Sequence, residues 1–274
     1  MIPIVKQKIS RWLSKRGIYR KIIEEKAVAG ETFRAIKGTL RDTPDKDDAW
    51  IFHLSKHARI IFDVGSNIGQ SALLMLYHAG VQKILLIDPN PKALSMAAEN
   101  LFMNRLMSMK AIFIPAFLSD KVGDTVDFYT VGAGAAGSRY KEHAKTAARL
   151  NEHFQVPTLS IDYLVTYYDV VPDLVKIDVE GAELEVLRGA ESLVAKKATL
   201  FFVEVHSTMG IVPQTEALLA WCSNHGYSAY YMKDHVLLNV NQIKERGRYH
   251  ALLIPSDSSY PAYIKEIAQG APIG

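Results

Sequence analysis

The chain has 274 residues, 49% hydrophobic and 22% charged, which is ordinary globular composition with enough apolar material for one large α/β domain. A single cysteine, Cys222, excludes an intrachain disulfide, and we interpret it as structural. The formal net charge is +3, but residues 1–30 hold eight Lys or Arg and two Glu, so the remainder is acidic overall and unlike a nucleic-acid-binding body.

Residues 1–28 place apolar side chains at near-helical spacing between basic ones, which predicts one or two amphipathic helices. Such a helix can pack on its own domain, pack on a second subunit, or lie on an anionic membrane surface. Because Lys and Arg interrupt the N-terminus, we expect no signal peptide, and no apolar run approaches the ~20 residues of a membrane span. We predict a cytoplasmic protein, with peripheral contact at the inner membrane surface as an alternative.

A polar connection follows over residues 29–48, and one of its acids, Asp42, Asp45, Asp47 or Asp48, is expected to cap the next helix. From Arg59, short apolar strands alternate with helices, which predicts βαβ units and a mostly parallel sheet with helices on both faces. The predicted strands are 60–63, 83–87, 111–116, 156–159, 174–177 and 199–205, closed by an antiparallel pair at 227–232 and 249–254. The predicted helices are 48–56, 68–78, 91–104, 161–168, 181–189, 192–196 and 213–225.

The predicted organisation has three parts: an N-terminal basic helical extension and linker at 1–48, a main domain at 49–255 and a loosely ordered tail at 256–274. Residues 117–155 interrupt the alternation with an exposed strand near 125–130 and the glycine-rich run 131–137. This insertion is either a lid that contacts substrate or an ordinary surface excursion.

Acidic residues fall at the carboxyl ends of successive predicted strands. Asp63, Asp88 and Asp178 each follow an apolar run, and Glu204 lies near the end of a fourth. The carboxyl ends of parallel strands share one crevice, where open α/β sheets bind ligands. Asp88 stands 23 residues after Gly65, a spacing at which an acid commonly binds ribose hydroxyls.

The loop after the first strand, read as DVGSNIG, narrows the ligand class. Gly65 and Gly69 allow close approach of backbone and ligand, but Ser66 and Asn67 stand where a dinucleotide fingerprint would have its middle glycine. Asp63 suits the ammonium of an amino acid better than a pyrophosphate. The combination favours S-adenosylmethionine over NAD.

The stretch Asp173 to Ala190, read as DLVKIDVEGAELEVLRGA, is densely charged around an apolar strand. Together with the glycine loop, the DPNP turn at 88–91 and an Asn closing the next helix (Asn100 or Asn104), it resembles the FkbM family of methyltransferases. The resemblance covers about residues 60–206. It implies a class I methyltransferase (Rossmann-like) fold and S-adenosylmethionine-dependent methylation of a hydroxyl on a sugar, glycan or natural product. Asp88 departs from the Glu that the family usually has.

We therefore expect a cofactor site and a catalytic group at the strand ends. The cofactor-binding residues are predicted to be Asp63, Gly65, Ser66, Asn67, Gly69, Asp88, Pro89, Ser119, Asp120 and Asp178. The predicted catalytic residues are Asp178, Glu204 and His206. Either His206 is a general base, or the three residues hold a divalent cation, such as Mg²⁺, that lowers the pKa of the acceptor hydroxyl.

Structural roles compete with these catalytic ones. His206 can be a hydrogen-bonded structural histidine, and Glu204 a buried acid paired with Lys176. Glu180 and Glu183 are favourable near a helix N-terminus on dipole grounds alone. At the level of function, the alternatives are a methyltransferase-like domain that binds without turnover and a membrane-docked enzyme acting on a lipid-linked glycan. A homo-oligomer is also open.

Overall fold

The computed structural model describes residues 21–28, 31–43, 45–106, 111–134, 137–207, 210–243 and 247–265. The helices predicted over residues 1–20 lie outside these ranges. Among the described residues, no helix is both long enough and apolar enough to cross a membrane.

Strands and helices alternate through most of the described chain. The strands are β1 (Ile23–Val28), β2 (Glu31–Ile36), β3 (Ile60–Val64), β4 (Lys83–Ile87), β5 (Ala111–Ile114), β6 (Phe117–Leu118), β7 (Thr125–Tyr129), β8 (His153–Leu159), β9 (Leu174–Ile177), β10 (Leu200–His206), β11 (Tyr227–Tyr231), β12 (Val236–Leu237) and β13 (Arg248–Pro255). The helices are α1 (Lys46–Ser55), α2 (Gln70–Leu76), α3 (Pro91–Met103), α4 (Lys145–Leu150), α5 (Ile161–Tyr168), α6 (Glu183–Arg188), α7 (Glu191–Val194), α8 (Ile211–Asn224) and α9 (Ala262–Lys265).

Eight strands form the central sheet, in the order β12-β11-β13-β10-β9-β3-β4-β5. Strands β3, β4, β5, β9 and β10 pair in parallel, whereas β13 is antiparallel to both β10 and β11. The closing antiparallel pair is therefore confirmed, with β13 inserted between β10 and β11. Chain order reverses between β3 and β9, which creates a crevice at their carboxyl ends.

Both faces of this sheet are covered by helices. Phe62 and Leu85 belong to one core with Trp221 of α8, and Ile61 and Leu86 belong to the other core with Leu73 of α2. Successive residues of a strand point to opposite faces, so a strand buried on both sides needs a continuous apolar run. That pattern explains why the core strands were recognisable from the sequence. Cys222 is buried in α8, as expected of a structural cysteine.

The N-terminal part that the structure describes differs from the prediction. Residues 23–28 are not helical and residues 31–36 are not a polar loop, because they pair as the antiparallel hairpin β1–β2. Asn100 in α3 and Asn104, which caps the C-terminus of that helix, hold this hairpin in place. The buried Asn100 accepts from Ile36 N at 2.8 Å, and Asn104 accepts from Arg34 N at 2.9 Å and donates to Arg34 O. A two-stranded hairpin is marginal alone, so these tertiary bonds stabilise it.

The C-terminal segment is also more ordered than predicted over residues 256–265. Tyr260 Oη lies 2.7 Å from His235 Nδ1, and Tyr263 stacks on His57 of the α1–β3 connection. Ile264 in α9 is completely buried. The remainder of the predicted tail lies outside the described residues.

Candidate active site

The loop between β3 and α2 is shaped by two glycines in the left-handed region. Gly65 has φ +80°, and a Cβ there would lie 1.8 Å from the carbonyl oxygen of Asp178. Gly69 has φ +86°, and its Cβ would lie 2.8 Å from Ala97 Cβ in α3. Both glycines are therefore required by packing within the protein. Gly65 also lines both of the cavities described below, whereas Gly69 lines neither of them.

Asp88, directly after β4, is held by backbone donors. Its carboxylate accepts from Asn67 N at 2.9 Å and from Asn90 N at 2.8 Å. Burial raises the pKa of Asp88 to about 6, against the opposing effect of these two hydrogen bonds. Each carboxylate oxygen has a further lone pair for a hydroxyl donor. The Asp88 carboxylate is thus held in place and can accept further hydrogen bonds.

An aromatic cavity of about 90 Å³ opens beside Asp88. We call it the aromatic cavity because two phenylalanines, Phe117 and Phe128, line it with Pro89, Leu118 and Val179. Ser119 and Asp120 do not line it; Ser119 is buried against Gly189, and the exposed Asp120 faces Arg188. The prediction was therefore two residues too late in the chain, since Ala116, Phe117 and Leu118 supply this wall.

A second cavity, of about 210 Å³, adjoins the first, and Gly65, Asn67 and Asp178 line both. We call it the charged cavity. Its ionisable lining residues are Arg41, Asp47, Asp48, Lys176, Asp178, Glu204 and His250. Ser66 also lines it, and its buried hydroxyl has no hydrogen-bond partner among the described residues. Arg41, Asp47, Asp48 and His250 were not predicted, because they come from α1, the segment before it, and the distant β13.

Asp63 does not contact either cavity, contrary to the prediction. Its side chain is completely buried; it accepts from Ser71 Oγ at 2.7 Å and lies 3.2 Å from Lys176 Nζ. Lys176 also donates to Gly65 O at 3.2 Å and lies 3.7 Å from Asp178. The Asp63–Lys176 pair therefore supports the glycine loop from below. Lys176 was predicted to pair with an acid, and its partners are Asp63 and Asp178 rather than Glu204.

Asp178 is the ionisable group at the junction of the two cavities. Its side chain keeps about 30% of its accessible area and lines both of them. Removal from bulk water raises the pKa of Asp178, and the neighbouring Lys176 acts in the opposite direction. A carboxylate in this position can accept a proton or stabilise a nearby cation.

Glu204 and His206, at the end of β10, belong to a network of fixed charges. Burial raises the pKa of Glu204, but three neighbours lower it more. They are a hydrogen bond from His250, the charge of His206, and Arg248, which lies 2.8 Å away, and together they hold the pKa of Glu204 at about 2. His206 Nδ1 lies 2.9 Å from Glu183. Although burial disfavours the imidazolium, Glu183 and the surrounding carboxylates raise the pKa of His206 to about 9. His206 is therefore protonated at neutral pH and lines neither cavity, which is contrary to a role as general base.

Most of the residues around the two cavities fall within one known domain. Residues 63–229 match the Methyltransferase FkbM domain. The chain belongs to the FkbM methyltransferase family. This match includes the glycine loop, Asp88, Asp178 and Glu204, while Arg41, Asp47, Asp48 and His250 lie outside it.

Relatives of this FkbM protein include two named methyltransferases. The methyltransferase sdnD of Sordaria araneosa is 32% identical over 186 residues, which cover 58% of this chain and 71% of sdnD. The hexuronic acid methyltransferase AglP of Haloferax volcanii is 28% identical over 163 residues, which cover 57% of this chain and 58% of AglP. The solved methyltransferase FkbM from Methylobacillus flagellatus aligns with a TM-score of 0.45 at 14% identity, over 79% of this chain and 45% of that one.

The FkbM domain has the class I methyltransferase fold that the resemblance implied. The insertion is a wall of its site, since Phe128, Gly134 and Gly137 line the cavities and Gly132 O accepts from Asn90. The carboxylates of Asp178 and Glu204 and a nitrogen of His206 lie within 4.8 Å of one another, as a metal site would require. Lys176 and Arg248 already pair with these acids, however, and His206 is protonated. We therefore assign no Mg²⁺ to this trio.

Proposed function

We propose that this FkbM protein is an S-adenosylmethionine-dependent O-methyltransferase whose acceptor is a hydroxyl of a sugar, glycan or natural product. The observation that carries the proposal is the junction of the two cavities at Asp178. One cavity is aromatic and bordered by Asp88, and the other is charged and connected to the protein surface. A nucleoside-bearing methyl donor and a polar acceptor would meet at that junction.

The residues of the aromatic cavity fit the nucleoside part of this donor. Asp88 has lone pairs available for two ribose hydroxyls, and Phe117 and Phe128 offer apolar surface to a base. The unpartnered Ser66 hydroxyl and the backbone of Gly65 suit the amino-acid end. When bound, S-adenosylmethionine supplies an electrophilic methyl group on a sulfonium.

Asp178 is the residue that we propose takes the proton of the acceptor hydroxyl. It reaches both cavities, and its raised pKa makes it a better base than Glu204, whose pKa is about 2. Glu204 would orient the acceptor and keep His206 and Arg248 in place. Much of the rate would come from positioning, because an in-line displacement requires the oxygen close to the methyl carbon.

Isothermal titration calorimetry with S-adenosylmethionine, S-adenosylhomocysteine and NAD tests the donor class. We expect both adenosyl compounds to bind and NAD not to bind. An Asp88→Ala variant should weaken adenosyl binding by roughly 10- to 100-fold, because hydrogen bonds to a charged group are lost. Asp120→Ala is the matched control, since Asp120 is exposed outside the cavities, and its affinity should equal that of the wild type.

The acceptor class is tested by mass spectrometry. The wild type and Asp178→Ala would be incubated with the donor and a panel of sugars and hydroxylated natural products, and the products searched for the mass increase of a single added methyl group. Loss of product in Asp178→Ala with donor binding retained would support the assignment. NAD binding without adenosyl binding would refute the proposed function.

A further inference from the structure

A third cavity, of about 360 Å³, lies outside the charged cavity, between the start of α1 and strands β11 and β13. We call it the outer cavity. Asp47 and His250 line both it and the charged cavity, so the two cavities adjoin. Its other ionisable lining residues include Asp45, Lys46, Lys233 and Arg248. The outer cavity therefore borders the charged cavity that Asp178 lines.

The acids of the outer cavity are already occupied by groups of the protein. Arg41 forms a two-pronged pair with Asp47, at 2.5 and 2.8 Å, and approaches Asp45 at 3.6 Å. Asp45 also caps α1, because its side chain accepts from Lys46 N at 2.7 Å. Because these carboxylates are already paired within the protein, they are poorly suited to binding a cation from solution.

Two cations of the same cavity have donors to spare. Arg248 is paired with Glu204 through one nitrogen, yet its side chain remains 63% exposed, and a guanidinium carries five N–H donors. Lys233 is half-buried in the wall and has no ion-pair or hydrogen-bond partner among the described residues. The acids of this cavity are paired within the protein, whereas Arg248 and Lys233 retain N–H donors for a further acceptor. The cavity is therefore suited to binding an anion.

We propose that the outer cavity binds an anionic group of the methyl acceptor, a carboxylate, phosphate or sulfate, through Arg248 and Lys233. The inference rests on the proposed methyl transfer at Asp178. Arg248 lies 2.8 Å from Glu204, whose carboxylate is within 4.8 Å of that of Asp178. The Arg248 guanidinium is thus separated from the Asp178 carboxylate by the carboxylate of Glu204, a distance that a single pyranose ring can bridge. The acceptor would be a hydroxylated compound that carries its anionic group close to the methylated oxygen.

Binding of three related sugars to the full-length protein saturated with S-adenosylhomocysteine tests this inference. D-glucose, D-glucuronate and D-glucose 6-phosphate share a pyranose ring and differ in charge. We expect one or both anionic sugars to bind on the order of tenfold more tightly than D-glucose, measured by calorimetry or saturation-transfer NMR. Which of the two binds more tightly distinguishes a carboxylate from a phosphate.

Variants locate the effect. Arg248→Gln and Lys233→Gln should each reduce the preference for the anionic sugar several-fold, whereas Arg248→Lys should retain part of it. Lys233→Gln should leave D-glucose binding unchanged. Lys196→Gln, an exposed lysine after α7, is the control and should retain the full preference. Because Arg248→Gln also removes a partner of Glu204, Lys233→Gln is the cleaner test.

The inference is overturned if neither anionic sugar binds more tightly than D-glucose, or if both glutamine variants keep the wild-type preference. Failure of the proposed function is a separate result, because S-adenosylhomocysteine would then not bind at all. If S-adenosylhomocysteine binds but no anion preference is found, only the proposal of an anionic acceptor is rejected and the proposed methyl transfer stands.

Discussion

Glu183 and His206 form a buried pair, with 2.9 Å between Glu183 Oε1 and His206 Nδ1. Glu183 is the first residue of α6, and His206 is the last residue of β10. Glu180 and Glu204 lie 3.5 and 3.7 Å from the other ring nitrogen. Three carboxylates around one imidazole keep it charged, so the pair joins the helix to the sheet beneath the site.

The pair predicts a pH dependence of stability. Because the pKa of His206 rises from 6.5 to about 9 on folding, its contribution is complete below pH 6.5 and is lost as the pH rises through 9. The contribution is on the order of 3 kcal/mol. Urea unfolding between pH 6 and pH 10 should show this loss in the wild type. His206→Gln should lack that component, and His153→Gln, at an exposed position, should keep it; equal profiles for wild type and His206→Gln would contradict the pairing.

Asp88 predicts a pH dependence of donor binding. In the proposed complex, ribose hydroxyls would donate to the ionised carboxylate, and burial raises the pKa of Asp88 to about 6 in the free protein. The affinity for S-adenosylhomocysteine should therefore be greatest above pH 6 and fall as the pH drops through that value. Calorimetry from pH 5 to pH 8 measures it. Asp88→Asn should bind more weakly with a flat profile, whereas an unchanged pH dependence in that variant would assign the titration to another group.

The position of Asp178 predicts different affinities for the methyl donor, S-adenosylmethionine, and for the demethylated product, S-adenosylhomocysteine. A carboxylate beside the sulfonium attracts the positively charged S-adenosylmethionine but not the neutral S-adenosylhomocysteine. Asp178→Asn should therefore weaken binding of the donor several-fold more than binding of the product. Glu180→Gln provides the comparison, because Glu180 lines only the aromatic cavity of the two and should change both affinities alike. An equal change in both affinities for Asp178→Asn would place the sulfonium elsewhere.

Gly65 predicts a large loss of stability on substitution. In Gly65→Ala, the new Cβ would meet Asp178 O at 1.8 Å while φ stays at +80°. We expect a loss of about 3 kcal/mol or more, from left-handed strain together with the backbone clash. Gly123→Ala is the matched control, because Gly123 has φ +86° and a Cβ added there would have no neighbouring atom within 4 Å.

Gly123→Ala should cost only about 1 kcal/mol, the left-handed strain alone. Chemical denaturation of both variants gives the comparison. Equal losses at the two positions would mean that the loop moves away from β9 without penalty.

The parallel strands could be predicted closely because each is buried on both faces. The bounds of β4 and β9 match the predicted ranges, since a short apolar run between polar residues admits few alternatives. The β1–β2 hairpin was missed for the opposite reason. Its residues mix charged and apolar types, and its stability comes from Asn100 and Asn104, which lie 64 and 70 residues from their backbone partners.

The candidate site likewise contains residues that could be predicted from the sequence and residues that could not. Asp88, Asn67, Gly65 and Asp178 were predicted from their places after strands, and they line the cavities. Asp63 was assigned the same role but lies opposite Lys176 in the register of β3 and β9. The pleat directs its side chain into the protein, where it neutralises a buried cation. A residue one position from a strand end points in or out according to a register that local sequence does not specify.

The sequence by itself determined the α/β class, the main strands and the family, because these depend on local apolar runs and on a motif with fixed spacing. Only the tertiary structure decided which charges meet. Arg41, Asp47, Arg248 and His250 are far apart in the chain, and they come together because α1 packs against a sheet in which β13 is inserted beside β10. Electrostatic pairing acts over a few ångströms of space, irrespective of separation along the chain, so these contacts could not be deduced before the strand order was known.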